Sequence, residues 1–193
     1  MDPFVAFADI LKEHIVDQVI EQLPHRWNES HRYYHNVNHL IDILQQIEKH
    51  ALFDELNVYE KHVFAISSFF HDIIYDPKRN DNEDKSIEFF KSSHKPGEPY
   101  FIKQVCNLIE CTKYRKRPTK KLEKIFWEAD NAGFKSFEIL NKNEQNIRKE
   151  YSYLSNKVYK ENRIKFFESN LGVFESSIDK NIKKMINQVK KMY

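Results

Sequence analysis

Three short stretches of the chain carry residue types that together could hold a metal ion. The first reads His31-Arg32-Tyr33-Tyr34-His35-Asn36-Val37-Asn38-His39. Its histidines recur every four residues, so in a helix all three imidazoles would share one face. Ligands one turn apart can share a metal, although surface or capping histidines produce the same spacing. The second stretch is Phe69-Phe70-His71-Asp72-Ile73-Ile74-Tyr75-Asp76. Burying an imidazole and a carboxylate among Phe and Ile is costly unless something pairs with them, and a divalent cation is one such partner. Adjacent residues on a helix point about 100° apart, so both reach one ion only near a helix end. Pro77 places the pair close to one. The third is Asp130, which closes the apolar stripe of Phe126-Trp127-Glu128-Ala129; taken alone it reads as a helix-end residue.

Taken in order, His39, His71-Asp72 and Asp130 resemble the signature of the HD superfamily of metal-dependent phosphohydrolases: a His, an adjacent His-Asp pair and a distant Asp on helices of an all-α domain. The likeness spans residues 32 to 130. The chain is more closely similar to a bacterial branch classed as HD phosphohydrolases, through Arg32-Tyr33-Tyr34-His35-Asn36 with His39 beyond, Phe70 to Pro77, Asp81-Asn82-Glu83, and Ile147-Arg148-Lys149-Glu150-Tyr151. Tyr34 to His39 also looks like the opening of the metal site in cyclic-nucleotide phosphodiesterases. That resemblance makes His39 a ligand and His35 the acid that protonates the leaving oxygen; the reverse assignment stays open. Two departures stand out. Thr112-Lys113-Tyr114-Arg115 has an Arg where the branch often has a His, and Asn131 follows Asp130 where an apolar residue is usual. The first would leave one metal rather than two.

The resemblance implies one divalent cation held by His39, His71, Asp72 and Asp130. A mixed N/O set suits Mn²⁺, Fe²⁺, Co²⁺, Ni²⁺ or Zn²⁺ better than Mg²⁺ or Ca²⁺. Asp72 would also accept a hydrogen bond from the attacking water, with Glu83 or Asp76 as general base or supporting partner. A phosphate needs fixed positive charge. Arg32, Arg148 and Arg163 are candidates because each lies in or beside a motif, and Lys78-Arg79 and the basic run from Lys113 to Arg117 are others. The expected activity is hydrolysis of a phosphate ester, a nucleotide being the likeliest class on resemblance. The alternative is a nucleotide-binding sensor that kept the fold and lost turnover. A plain helical scaffold leaves the ordered His and Asp set unexplained.

Helices must position these groups. Only 3 Gly and 6 Pro in 193 residues leave few turn formers for a sheet. Apolar stripes at helical spacing recur: Phe4 to Leu23, ending at Pro24; Val37 to Ile47; Val63 to Ile74, nearly apolar all round and therefore central; Ile87 to Phe90; Ile102 to Ile109; and Leu122 to Ala129. Further helices are expected over roughly 134–155, 159–170 and 175–192, the last with lysines opposite its apolar stripe. The expectation is an all-α, compact multi-helix bundle forming one domain over residues 1–193. No apolar run approaches the ~20 residues of a membrane span, and Asp2, Asp9 and Glu13 interrupt the N-terminus, unlike a secretory leader. The expected location is the cytoplasm. A net charge of +2 says nothing for or against nucleic acid. Cys106 and Cys111 read as free thiols.

Overall fold

The computed structural model describes residues 2–113 and 116–193. Its elements are helical, as the composition and periodicity require; among the described residues the one β contact is an isolated bridge between Ile15 and His94. The chain forms two compact units, the first from the residues up to 113 together with Pro118–Asp130, the second chiefly from Asn131–Tyr193.

In the first unit the stripe from Phe4 to Leu23 does not run as a single helix. It divides into α1 (Pro3–Ala6), α2 (Ala8–His14), α3 (Asp17–Ile20) and α4 (Leu23–Trp27). The break at Ile15 has a tertiary cause. Ile15 is extended, Val16 N donates to Ser93 O at 3.0 Å, and Lys95 N donates to His14 O at 2.8 Å. Pro24 falls in the first turn of α4, where its missing N–H is no loss, rather than ending a helix. The remaining helices are α5 (Val37–Glu48), α6 (Val58–Phe70), α7 (Asn82–Ser93), α8 (Pro99–Thr112) and α9 (Lys121–Asp130). A capping box of Asn57 and Glu60 starts α6. Every residue from Val63 to Phe70 is buried, and the helix packs on α2, α5, α7 and α8. α9 lies against α5 and α8.

The second unit contains α10 (Phe137–Glu150), α11 (Asn156–Ser169) and α12 (Ser176–Met192). α10 starts later than the periodicity suggests because Ala132–Lys135 forms a 3₁₀ turn and the Ser136 side chain caps the helix that follows. α12 buries Ile178, Ile182, Met185, Ile186 and Val189 against Phe134, Leu140 and Phe167, while Lys180, Lys183, Lys184, Lys190 and Lys191 stay exposed. Its amphipathicity is therefore satisfied within its own unit. Cys106 and Cys111 are free, and no described helix is long and apolar enough to cross a membrane.

Candidate metal centre

The His71-Asp72 pair stands where α6 ends. His71 caps the helix, its N–H donating to Ser67 O at 2.9 Å, and the chain leaves helical geometry immediately afterwards. Two adjacent side chains can consequently converge. His71 Nδ1 lies 2.9 Å from Ser68 O. A carbonyl only accepts, so Nδ1 carries the proton and Nε2 is the atom left to bind an ion. His39 sits in the first turn of α5, which begins where the Asn36 side chain accepts from Asn38 N. Asp130 is the last residue of α9.

These helix ends bring four side chains together. The Nε2 atoms of His39 and His71 are 3.4 Å apart. Asp72 Oδ2 is 3.0 Å from His71 Nε2 and 3.7 Å from His39 Nε2. Asp130 Oδ1 is 3.2 Å from His39 Nε2 and 3.9 Å from His71 Nε2. Donor atoms around a four-coordinate ion with bonds near 2.0–2.1 Å are separated by about 3.3–3.4 Å, a spacing that His39, His71 and Asp72 approach among themselves. These three form a group able to hold a metal ion, and Asp130 stands beside it, nearest to His39. The imidazole side chains are 5% and 1% exposed, the carboxylates of Asp72 and Asp130 14% and 19%. The histidines form a closed floor and solvent reaches the group from the carboxylate side.

Charge in this group is mutually supported. Burial disfavours a charged His71, yet the adjacent Asp72 carboxylate outweighs it and pushes the imidazole up to about 9. Burial likewise opposes a charged Asp72, and the imidazoles of His71, His35 and His39 overcome it, holding the carboxyl well below its usual range. Without an ion, a proton on His71 supplies the positive charge. Glu83, half-buried in the first turn of α7, shifts upward because of burial and the neighbouring Asp72 charge.

Several residues hold this geometry rather than form it. The Arg32 side chain has 0% exposure. It donates to Asp72 O at 2.7 Å, Ile73 O and His35 O both at 3.0 Å, and Glu29 Oε2 at 2.9 Å. Its guanidinium thus ties the loop before α5 to the loop after α6, and buried in this way it does not meet a ligand in solvent, contrary to its expected role on phosphate. Asn82 makes a reciprocal pair with Asp76, accepting from Asp76 N at 3.1 Å and donating to Asp76 O at 2.9 Å. Ser86, one turn further on, bonds both backbone groups of Ile74. The sequence shows Asn82 and Ser86 at i and i+4 on one helix face, but nothing in it says what they grip. Asp76 also accepts from Lys78 N through Oδ1, a turn-forming contact.

Residues 31–36 are not helical, so His31, His35 and His39 do not share a helical face. Asn36, an N-cap, starts the helix too late for that. The loop still brings His35 near the cluster, its ring 5.9 Å from that of His39 and stacked on Tyr75 at 4.1 Å. His31 is bound instead to Tyr75 O at 2.9 Å. Arg79 pairs with Asp81. Lys113 pairs with Asp84, and Arg115, the departure from the branch pattern, lies outside the described residues. Arg148 and Arg163 belong to the second unit. Arg148 donates to Tyr151 O, Leu154 O and Asn156 Oδ1, and Arg163 forms a buried pair with Glu144 at 2.6 Å. His94 lies away from these ligands, against α2.

Comparison with known protein families, with curated proteins and with solved structures finds no match.

Proposed function

We propose that this chain is a metal-dependent phosphohydrolase of the HD type, acting on a phosphate ester of a nucleotide. The observation that supports this reading is the convergence of His39, His71, Asp72 and Asp130 from three helix ends that lie far apart in sequence. The donor set fits a divalent transition ion: two imidazole nitrogens and the Asp72 carboxylate at ligand spacing, with Asp130 beside His39 as the further carboxylate and one face open to solvent. Such an ion would acidify a water and neutralise charge on the phosphoryl group.

The chain's own residues divide the remaining work. His71 and His39 would hold an ion through Nε2, and the Ser68 carbonyl keeps His71 in the tautomer that allows it. Asp72 would hold the ion and accept a hydrogen bond from the attacking water. Glu83, raised by burial beside Asp72, takes the water's proton. His35, half-buried and stacked on Tyr75, gives one to the leaving oxygen. Arg32 acts as a positioning residue by fixing the backbone of Asp72.

Elemental analysis of the purified chain, with a screen of nucleotide mono- and diesters under Mn²⁺, Co²⁺ and Mg²⁺, tests the proposal. Expected are a bound transition metal at this centre and phosphate release or ring opening, both lost in His71→Ala/Asp72→Ala. Unchanged metal content in that variant would remove the basis of the reading, whereas bound metal without turnover of any ester would favour a sensor.

A further inference from the structure

A second group of imidazoles lies in the first unit, and the proposed hydrolytic chemistry makes no use of it. His14 at the end of α2 and His62 in the first turns of α6 place Nε2 and Nδ1 3.0 Å apart. Glu13 Oε1 lies 3.6 Å from His14 Nε2 and 3.8 Å from His62 Nδ1, too far to hydrogen-bond either and within ligand spacing of both. A point equidistant from these three atoms lies about 2.0 Å from each, the length of a zinc–nitrogen or zinc–carboxylate bond. The three therefore form a triangle that an ion fits without displacement of the backbone.

The surroundings fix these donors. The His14 ring stacks on Phe101 at 4.1 Å and 7°. Its backbone carbonyl is held by Lys95 N at 2.8 Å. His14 and His62 are 15% and 17% exposed, while Glu13 is 61% exposed, so the group opens to solvent on the carboxylate side. Beside it stands His94, its ring centroid 6.1 Å from that of His14. Both nitrogens of His94 are buried with no hydrogen-bond partner among the described residues. His94 is not one of the three donors that lie within ligand reach of one another. His62 and His71 are nine residues apart on and just beyond α6, roughly 13 Å along its axis, so the two clusters cannot share one ion.

From this arrangement we infer that Glu13, His14 and His62 form a second transition-metal site of the zinc type, its fourth position filled by water. The site would join the segmented N-terminal helices to α6, so its role is to brace the fold rather than to turn over substrate. It stands or falls independently of the hydrolytic centre.

Zinc titration of chelator-stripped full-length protein against a competing chromophoric chelator tests it, with Co²⁺ absorption as a report of coordination by nitrogen and oxygen. In the His71→Ala/Asp72→Ala background, one Zn²⁺ per chain should remain. Adding His62→Gln should weaken it by more than about tenfold, as should adding Glu13→Gln, an exposed change that leaves folding intact. Thermal melting should show zinc raising Tm in the background protein and not after His62→Gln. Zinc lost entirely with His71 and Asp72, or retained unchanged after both His62→Gln and Glu13→Gln, would overturn the inference and leave His14 and His62 as a simple imidazole hydrogen bond.

Discussion

In the second unit the Glu144 carboxylate, with 0% exposure, meets a permanent cation and a hydroxyl: Arg163 Nε and Nη2 donate to Oε2 at 2.9 and 2.6 Å, and Tyr159 OH donates to Oε1 at 2.7 Å. In the first unit Asp72 and Asp130 instead face His39 and His71, whose charge is conditional. An arginine stays protonated throughout the accessible pH range and cannot bind a metal, so the Glu144 cluster is complete as it stands. An imidazole can give up its proton and offer a lone pair in its place. Buried carboxylates supported by imidazoles are thus an ion site in waiting, and those supported by arginine are architecture.

The largest expected effect comes from breaking the architectural cluster. Arg163→Ala leaves the buried Glu144 charge without its cation and should cost about 3–5 kcal/mol in urea denaturation, with metal content at the His39–His71 centre unchanged. A metal loss matching the stability loss would end the distinction between the two clusters. Next, Arg32→Met removes the tie to the Asp72 backbone while keeping bulk. Metal affinity should fall by about 10- to 100-fold in a chelator competition; an unaltered affinity would mean that Arg32 serves the fold alone.

The conditional charge gives a third way to sharpen the comparison. His71 holds a proton in the ion-free protein until pH rises through its elevated value of about 9. Metal must displace that proton, so apparent affinity should climb roughly tenfold per pH unit between 6 and 8. A flat profile would indicate that His71 binds no ion. The smallest effect is expected for Asn82→Ala, which frees the backbone of Asp76 and should cost about 1 kcal/mol in thermal denaturation, with a smaller loss of metal affinity than in Arg32→Met.

The helices that carry the centre were legible in the sequence. Burial of the whole stretch from Val63 to Phe70 follows from an apolar run without a polar face. The end of α6 near His71 follows from the chain's need to be extended before Pro77. Less legible was the N-terminal stripe, where periodicity alone suggests one helix. The break at Ile15 depends on backbone pairing with residues 93–95, nearly eighty positions away. The helical condition on which His31, His35 and His39 would share a face is not met, for a local reason: Asn36 caps α5, which begins only at Val37.

The sequence by itself determined the helical class, the helix ends at which His71 and Asp130 sit, and the chemical types of the candidate ligands, because period and proline act over a few residues. Tertiary structure decided which of those ends converge, that Arg32 faces inward on carbonyls, that Arg163 is closed on Glu144, and that Glu13, His14 and His62 meet. Those outcomes depend on contacts between residues distant along the chain, and no local pattern specifies which buried charge receives a permanent partner and which is left to a proton or a metal.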